Sequence, residues 1–248
     1  MIDARGRKVN ERHNSVNVPV PGVPDGRRYL IRRKKTASVG FRAADWERES
    51  WKHVPEQRLG NVIVYLGRAS AHVPDVRFKL QYDHRCLYVF YKVREKGVRV
   101  PFHEDQQNVF FDSCVKLFIR PGGAAGKSYL NFEMNCVGAL LLAQVQIRPG
   151  RRTGLVRLPL EDVKKIRHHT TLKKVSGEIA EEIVWHAGLE IPWAVLEKYT
   201  SVPAPSKGSV WTGNIYKCAD WSRFPHWFAR KEIPTFHFPA GFGQLIFE

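Results

Sequence analysis

Side chains able to do chemistry concentrate between Asp112 and Gly138, in DSCVKLFIRPGGAAGKSYLNFEMNCVG. Two alternating runs, Asp112 to Arg120 and Ser128 to Cys136, flank a Gly-rich turn, which is the pattern of a β-hairpin. Strand side chains alternate, so Tyr129, Asn131, Glu133 and Asn135 share one face while Leu130, Phe132, Met134 and Cys136 share the other. A mid-strand row of amides and a carboxylate supplies donors and acceptors together, as recognition of a polar ligand requires. The competing expectation is a solvated outer face of an antiparallel sheet. Asn131, Glu133 and Asn135 are therefore candidate hydrogen-bonding residues, and Lys116 on the facing run is a candidate cation for an anionic group.

A second group lies near the C-terminus, where Trp221, Phe224, Trp227 and Phe228 are interspersed with Asp220, Arg223, His226 and Arg230. Sugars are held by an apolar ring face together with polar groups that fix orientation, so Trp221 or Trp227 would be the stacking platform. A loop folding its rings under itself is the alternative. Other chemistries fail on spacing. PGGAAGKS has Pro121 where a phosphate loop needs its first glycine, and a strand follows it instead of a helix. There is no HExxH, CxxC or GxSxG, and adjacent His168 and His169 on a strand point to opposite faces. Glu133, Asp112 and Asp220 are carboxylates a glycoside hydrolase could use, and Met134 is a potential haem ligand but sits on the apolar parity. The chain is expected to be non-catalytic, with no cofactor.

These residues must be positioned by strands. VRFKLQYDHRCLYVFYKVRE (76–95) reads as a hairpin about YDHR, and 139–147, 166–175, 182–191, 210–218 and the terminal GQLIFE read as further strands. Pro149 to Thr153 reads as a basic turn, and PWAVLEKY as the one short helix. Trp46 and Trp51 of DWERESW are expected packing anchors. The expectation is an all-β fold, an antiparallel, jelly-roll-like β-sandwich with one short helix.

The 248-residue chain is long enough for one large domain, and 43% hydrophobic residues describe a folded protein. No apolar run reaches the ~18 residues of a membrane span. The N-terminal stretch has no apolar signal segment, so the expected location is cytoplasmic, or secreted if a leader has been removed. Formal charge is +16, and residues 1–35 hold ten Lys or Arg against three Asp or Glu. We expect residues 1–35 to be an irregular basic arm, able to attract nucleic acid or simply solvated, before a domain over 36–248. Cys86, Cys114, Cys136 and Cys218 fall in strand-like runs and are expected to be buried free thiols.

In order, DWERESW, YDHRCLYVFYKV, DSCVKLFI, YLNFEMNCVG, LEIPWAVLEKY, GNIYKCAD, FPHW and FHFPAGFGQLIFE resemble the family 9 carbohydrate-binding modules, from about Asp45 to Glu248. The resemblance implies a non-catalytic sugar-binding β-sandwich, with calcium bound in some members although no calcium motif is present here. It also implies a sugar held between two tryptophans. One of these positions is Val109 in this chain, and the other falls at or near Arg230 unless Trp227 substitutes. The family's DSxVE glutamate is Lys116, its facing arginine is Glu133, and its asparagine is kept as Asn135. Lys116 can face Glu133 across the hairpin, so the family's carboxylate–guanidinium pair would be replaced by an ion pair of reversed polarity. That change, with the net charge, implies an acidic glycan as the carbohydrate ligand.

Overall fold

Most alternating stretches of the chain become strands, and the computed structural model describes them over residues 26–248 except 37, 66, 149, 150 and 176. In chain order they are β1 (Arg28–Arg33), β2 (Gln57–Arg58), β3 (Asn61–Val62), β4 (Asp75–Tyr82), β5 (Cys86–Glu95), β6 (Val98–Arg99), β7 (Cys114–Arg120) and β8 (Ser128–Asn135). They continue as β9 (Leu140–Arg148), β10 (Arg151–Arg157), β11 (Arg167–Thr170), β12 (Glu178–Ile179), β13 (Ile183–Pro192), β14 (Val210–Cys218), β15 (Trp227–Ala229) and β16 (Gly243–Phe247).

The main sheet runs β10-β9-β8-β7-β14-β16-β1-β4-β5-β13-β11 and curls into two layers. Strand β1 joins them. Its first four residues pair in parallel with β16 and its last two in parallel with β4; every other ladder on the path is antiparallel. The arm expected over 1–35 is thus corrected at its end: RYLIRR alternates, with Tyr29 and Ile31 buried, and the arginines masked an apolar face. Residues 1–25, where the rest of that arm falls, lie outside the described residues. A second correction is β10, which occupies much of the supposed basic turn after Ile147; the ladder to β9 forms in spite of a bulge between Arg152 and Gly154.

The expected helix is α3 (Trp193–Thr200), opened by Pro192, whose fixed φ suits that position. Two single turns, α1 (Glu49–Lys52) and α2 (Leu160–Val163), were not anticipated. Among the described residues no helix is long and apolar enough to cross a membrane.

Three apolar clusters follow from strand parity. Between the layers, Val115, Leu117, Ile119, Leu130, Phe132 and Met134 of the β7–β8 hairpin meet Leu80, Val89, Trp185 and Leu189. Met134 is core, as its parity required. Trp46 and Trp51 cover the outer face of β5 with Phe90. The remaining cluster lies on the other face of the β7–β8 hairpin and includes Tyr129, Phe118, Tyr216, Trp227, Phe236 and Phe242. The hairpin's polar face is therefore roofed, not solvated. All four cysteines are buried and free.

Candidate functional site

The floor of the roofed face is set by hairpin register. Lys116 of β7 is the direct cross-strand neighbour of Glu133 of β8, and Nζ lies 2.9 Å from Oε2, with side-chain exposures of 7% and 5%. Asn131 Nδ2 donates to Glu133 Oε1 at 2.7 Å. Burial opposes the Lys116 charge, but its polar surroundings, Cys218 and Glu133 foremost, hold the ammonium's pKa well above its usual value. The ammonium also lies 4.6 Å from the centre of the Phe236 ring and 5.8 Å from that of Phe110.

Around this floor the rings are only half-buried on one side. Phe110 packs on Phe111 at 4.5 Å between centroids, and Phe111 stacks on Trp221 at 4.3 Å with planes 6° apart. Trp221 N donates to Phe111 O at 3.0 Å, which zips the loop before β7 to the loop after β14. On the other side Tyr65 packs against Trp227 and Phe236 at 5.6 and 5.3 Å. Trp227 Nε1 donates to Asp220 Oδ1 at 2.5 Å. Burial raises the Asp220 carboxyl, opposed by the Lys116 ammonium. Phe110, Phe111, Tyr65, Asp220 and Trp221 are all of intermediate exposure. A charged, hydrogen-bonded floor beside accessible ring faces can hold a polyhydroxylated ligand.

Carbohydrate-binding family 9 matches the chain over residues 51–247. The chain belongs to that family. A protein from Bacteroides uniformis ATCC 8492, provisionally assigned as carbohydrate-binding, has a similar structure: TM-score 0.73, 25% identity, 90% of this chain and 99% of that one covered. Family 9 modules from Caldicellulosiruptor kristjanssonii in complex with glucose and with cellotriose give TM-scores of 0.57 and 0.55 at 13% identity, each over 89% of this chain and 95% and 93% of theirs. At that identity the likeness is one of fold. No curated protein sequence is significantly similar to the chain.

Within this family 9 chain, the residues expected to share a site separate into groups. Lys116, Glu133 and Asn131 lie together, and Lys116 and Glu133 face each other as an ion pair. Asn135 has the hairpin parity but is committed elsewhere: Nδ2 donates to Asp112 Oδ2 and Phe102 O at 2.8 Å each, and Oδ1 accepts from Ala139 N at 2.9 Å. It secures the end of the hairpin. Trp227 is fully buried beneath Tyr65 and Arg68, whereas Trp221 lies at the rim. Arg230 is also buried, Nη2 donating to Gly213 O at 3.2 Å; a Cβ on Gly243 would come within 2.3 Å of that nitrogen. Val109 is fully buried in the same outer cluster.

His226 faces the opposite way. It precedes Trp227 at the start of β15, so the two side chains point to opposite faces. His226 Nδ1 pairs with Phe224 O at 2.8 Å and Nε2 lies 3.0 Å from Glu95 Oε2. Glu95 in turn meets Lys217 Nζ at 2.8 Å and accepts from Trp185 Nε1 at 2.8 Å. This cluster ties β14 to β5 across the two layers and takes no part in the rim.

Sequence reading missed Tyr65, Phe110, Phe111 and Phe236. The pair FF beside the hairpin was a usable signal, but Tyr65 arrives from a loop some fifty residues upstream of Lys116 with nothing local to mark it. Among the described residues no group of three or more His, Cys, Asp or Glu is arranged to hold a metal ion.

Proposed function

We propose that the chain is a non-catalytic carbohydrate-binding domain that holds its ligand at the rim of Phe110, Phe111, Trp221 and Tyr65, above the Lys116–Glu133 floor, and that its ligand is an acidic glycan. The observation that carries the reading is the juxtaposition of half-buried rings with a buried ion pair in one face of the hairpin. Ring faces complement the apolar faces of pyranoses, and Lys116, Glu133 and Asp220 complement hydroxyls. Glucose and cellotriose complexes of structurally similar family 9 modules support carbohydrate as the class. The formal charge of +16 supports the acidic character.

Isothermal titration with neutral and uronic oligosaccharides tests this. Trp221→Ala and Phe110→Ala are expected to weaken binding roughly tenfold or more while the fold persists, since stacking rings carry ~1 kcal/mol or more each. Unaltered binding in both variants would refute the rim as the site.

A further inference from the structure

The acidic-ligand reading needs cations, and the floor does not supply a free one, because the Lys116 ammonium is already met by Glu133. Positive charge without a carboxylate is concentrated elsewhere. From Lys164 to Lys174 the sequence is KKIRHHTTLKK: five Lys or Arg and two His, with no Asp or Glu. Its centre is β11, the last strand of the sheet path, so among the described residues one of its edges has no ladder. Two of the cations are paired, Lys165 with Asp162 at 2.7 Å and Arg167 with Glu190 at 3.3 Å. Asp162 is further engaged by Lys198 and Tyr199. Lys164, Lys173 and Lys174 are exposed and make no ion pair among the described residues. Exposed Arg42 and Arg48 before α1 are neutralised by Asp45, and half-buried Arg58 of β2 and Arg77 of β4 by Asp75 and Glu56.

We propose that the strip Lys164–Lys174, along edge strand β11, binds a carboxylated polysaccharide, extending the acidic-glycan reading to a second contact surface. Charge on an edge strand also discourages sheet-to-sheet pairing. That purpose is served by Arg167 and His169 on the strand itself; the four lysines lie beyond its ends. The strand alone spans roughly 10 Å, and lysines continue on both sides, so the complementary ligand carries several spaced anions and is a polymer. The strip contains no Phe, Tyr or Trp, and its only rings are the imidazoles of His168 and His169. A polysaccharide fits that composition better than a single-stranded nucleic acid, whose sites combine cations with stacking rings.

The inference rests on the proposed carbohydrate function, and affinity electrophoresis of the whole chain separates the two. The probes are polygalacturonate, neutral xylan and a DNA duplex at matched salt. Polygalacturonate is expected to retard the wild-type chain, with retardation falling as salt rises. The triple variant K164E/K173E/K174E is expected to lose roughly tenfold or more in affinity for polygalacturonate and to bind neutral oligosaccharide like wild type. Lys→Arg at the same three positions is expected to retain polygalacturonate binding. The proposal is overturned if the Glu variant binds polygalacturonate like wild type, if the Arg variant loses binding, or if the duplex binds as tightly as polygalacturonate. Loss of neutral binding in Trp221→Ala bears on the rim alone, so failure of the strip and failure of the rim give different patterns.

Discussion

Two buried Lys–Glu pairs lie on neighbouring strands and play different parts. Lys217 of β14 meets Glu95 of β5 at 2.8 Å with both side chains fully enclosed, and it joins the two layers. Lys116 of β7 meets Glu133 of β8 at 2.9 Å within one layer, beside rings that reach solvent. The inner pair is saturated by Trp185, His226 and the Cys218 carbonyl. The outer pair has Asn131 on one side and cation–π contacts on the other. Similar distances thus accompany unequal surroundings, and the surroundings separate scaffold from site.

The comparison can be broken most decisively at Glu95. Glu95→Ala leaves Lys217 enclosed without its counter-ion and is expected to cost about 3–5 kcal/mol, read by urea unfolding; a loss below ~1 kcal/mol would make the two pairs equivalent. Glu133→Ala is expected to cost less, about 1–3 kcal/mol, because Lys116 keeps Asp220 and two ring faces nearby, and it should weaken carbohydrate binding, which Glu95→Ala does not do at matched folded fraction.

The two regions also differ in the sign of their pH dependence. Burial would raise the Glu95 carboxyl, but Lys217 and His226 override it and hold it at about 2. Its contribution is full above the unfolded value of ~4.3 and is lost as pH falls through about 2. Asp112, beside Asn135 at the hairpin end, is pushed up to about 7, chiefly by burial, against the lowering effect of the Asn135 amide. The folded state therefore retains a proton that the unfolded chain releases near pH ~3.9, so stability falls between about 4 and 7 and is level above. Asp112→Asn is expected to remove that decline while leaving acid unfolding governed by Glu95. Melting temperatures across pH for wild type and variant provide the check; a decline retained in Asp112→Asn would place its origin elsewhere.

Local alternation made the hairpins, β14 and the terminal strand readable, parity put Met134 in the core, and the family resemblance pointed to Lys116 facing Glu133, a register that the hairpin then adopts. What was not readable depends on contacts between distant segments. Glu95 and Lys217 each look like ordinary charged ends of strands, and only the closing of the two layers puts them together. The aromatic stretch 220–230 was read as one surface, although β15 sends His226 and Trp227 to opposite faces once it pairs with β14. In β1, arginines outnumber the apolar residues whose spacing marks the strand, so composition concealed the pattern.

The turn linking β7 and β8 is built on Gly122 and Gly123, both with positive φ, and on Arg120 bonds to the Gly126 carbonyl. Such a turn is permissive about how the strands align. The ion pair beneath the rim is not. Slipping the hairpin by one residue would turn one partner toward the inner core, enclosing one charge among Leu117, Phe132 and Met134 and leaving the other without a counter-ion. Lys116 and Glu133 thus favour the native register of the hairpin over its one-residue alternatives.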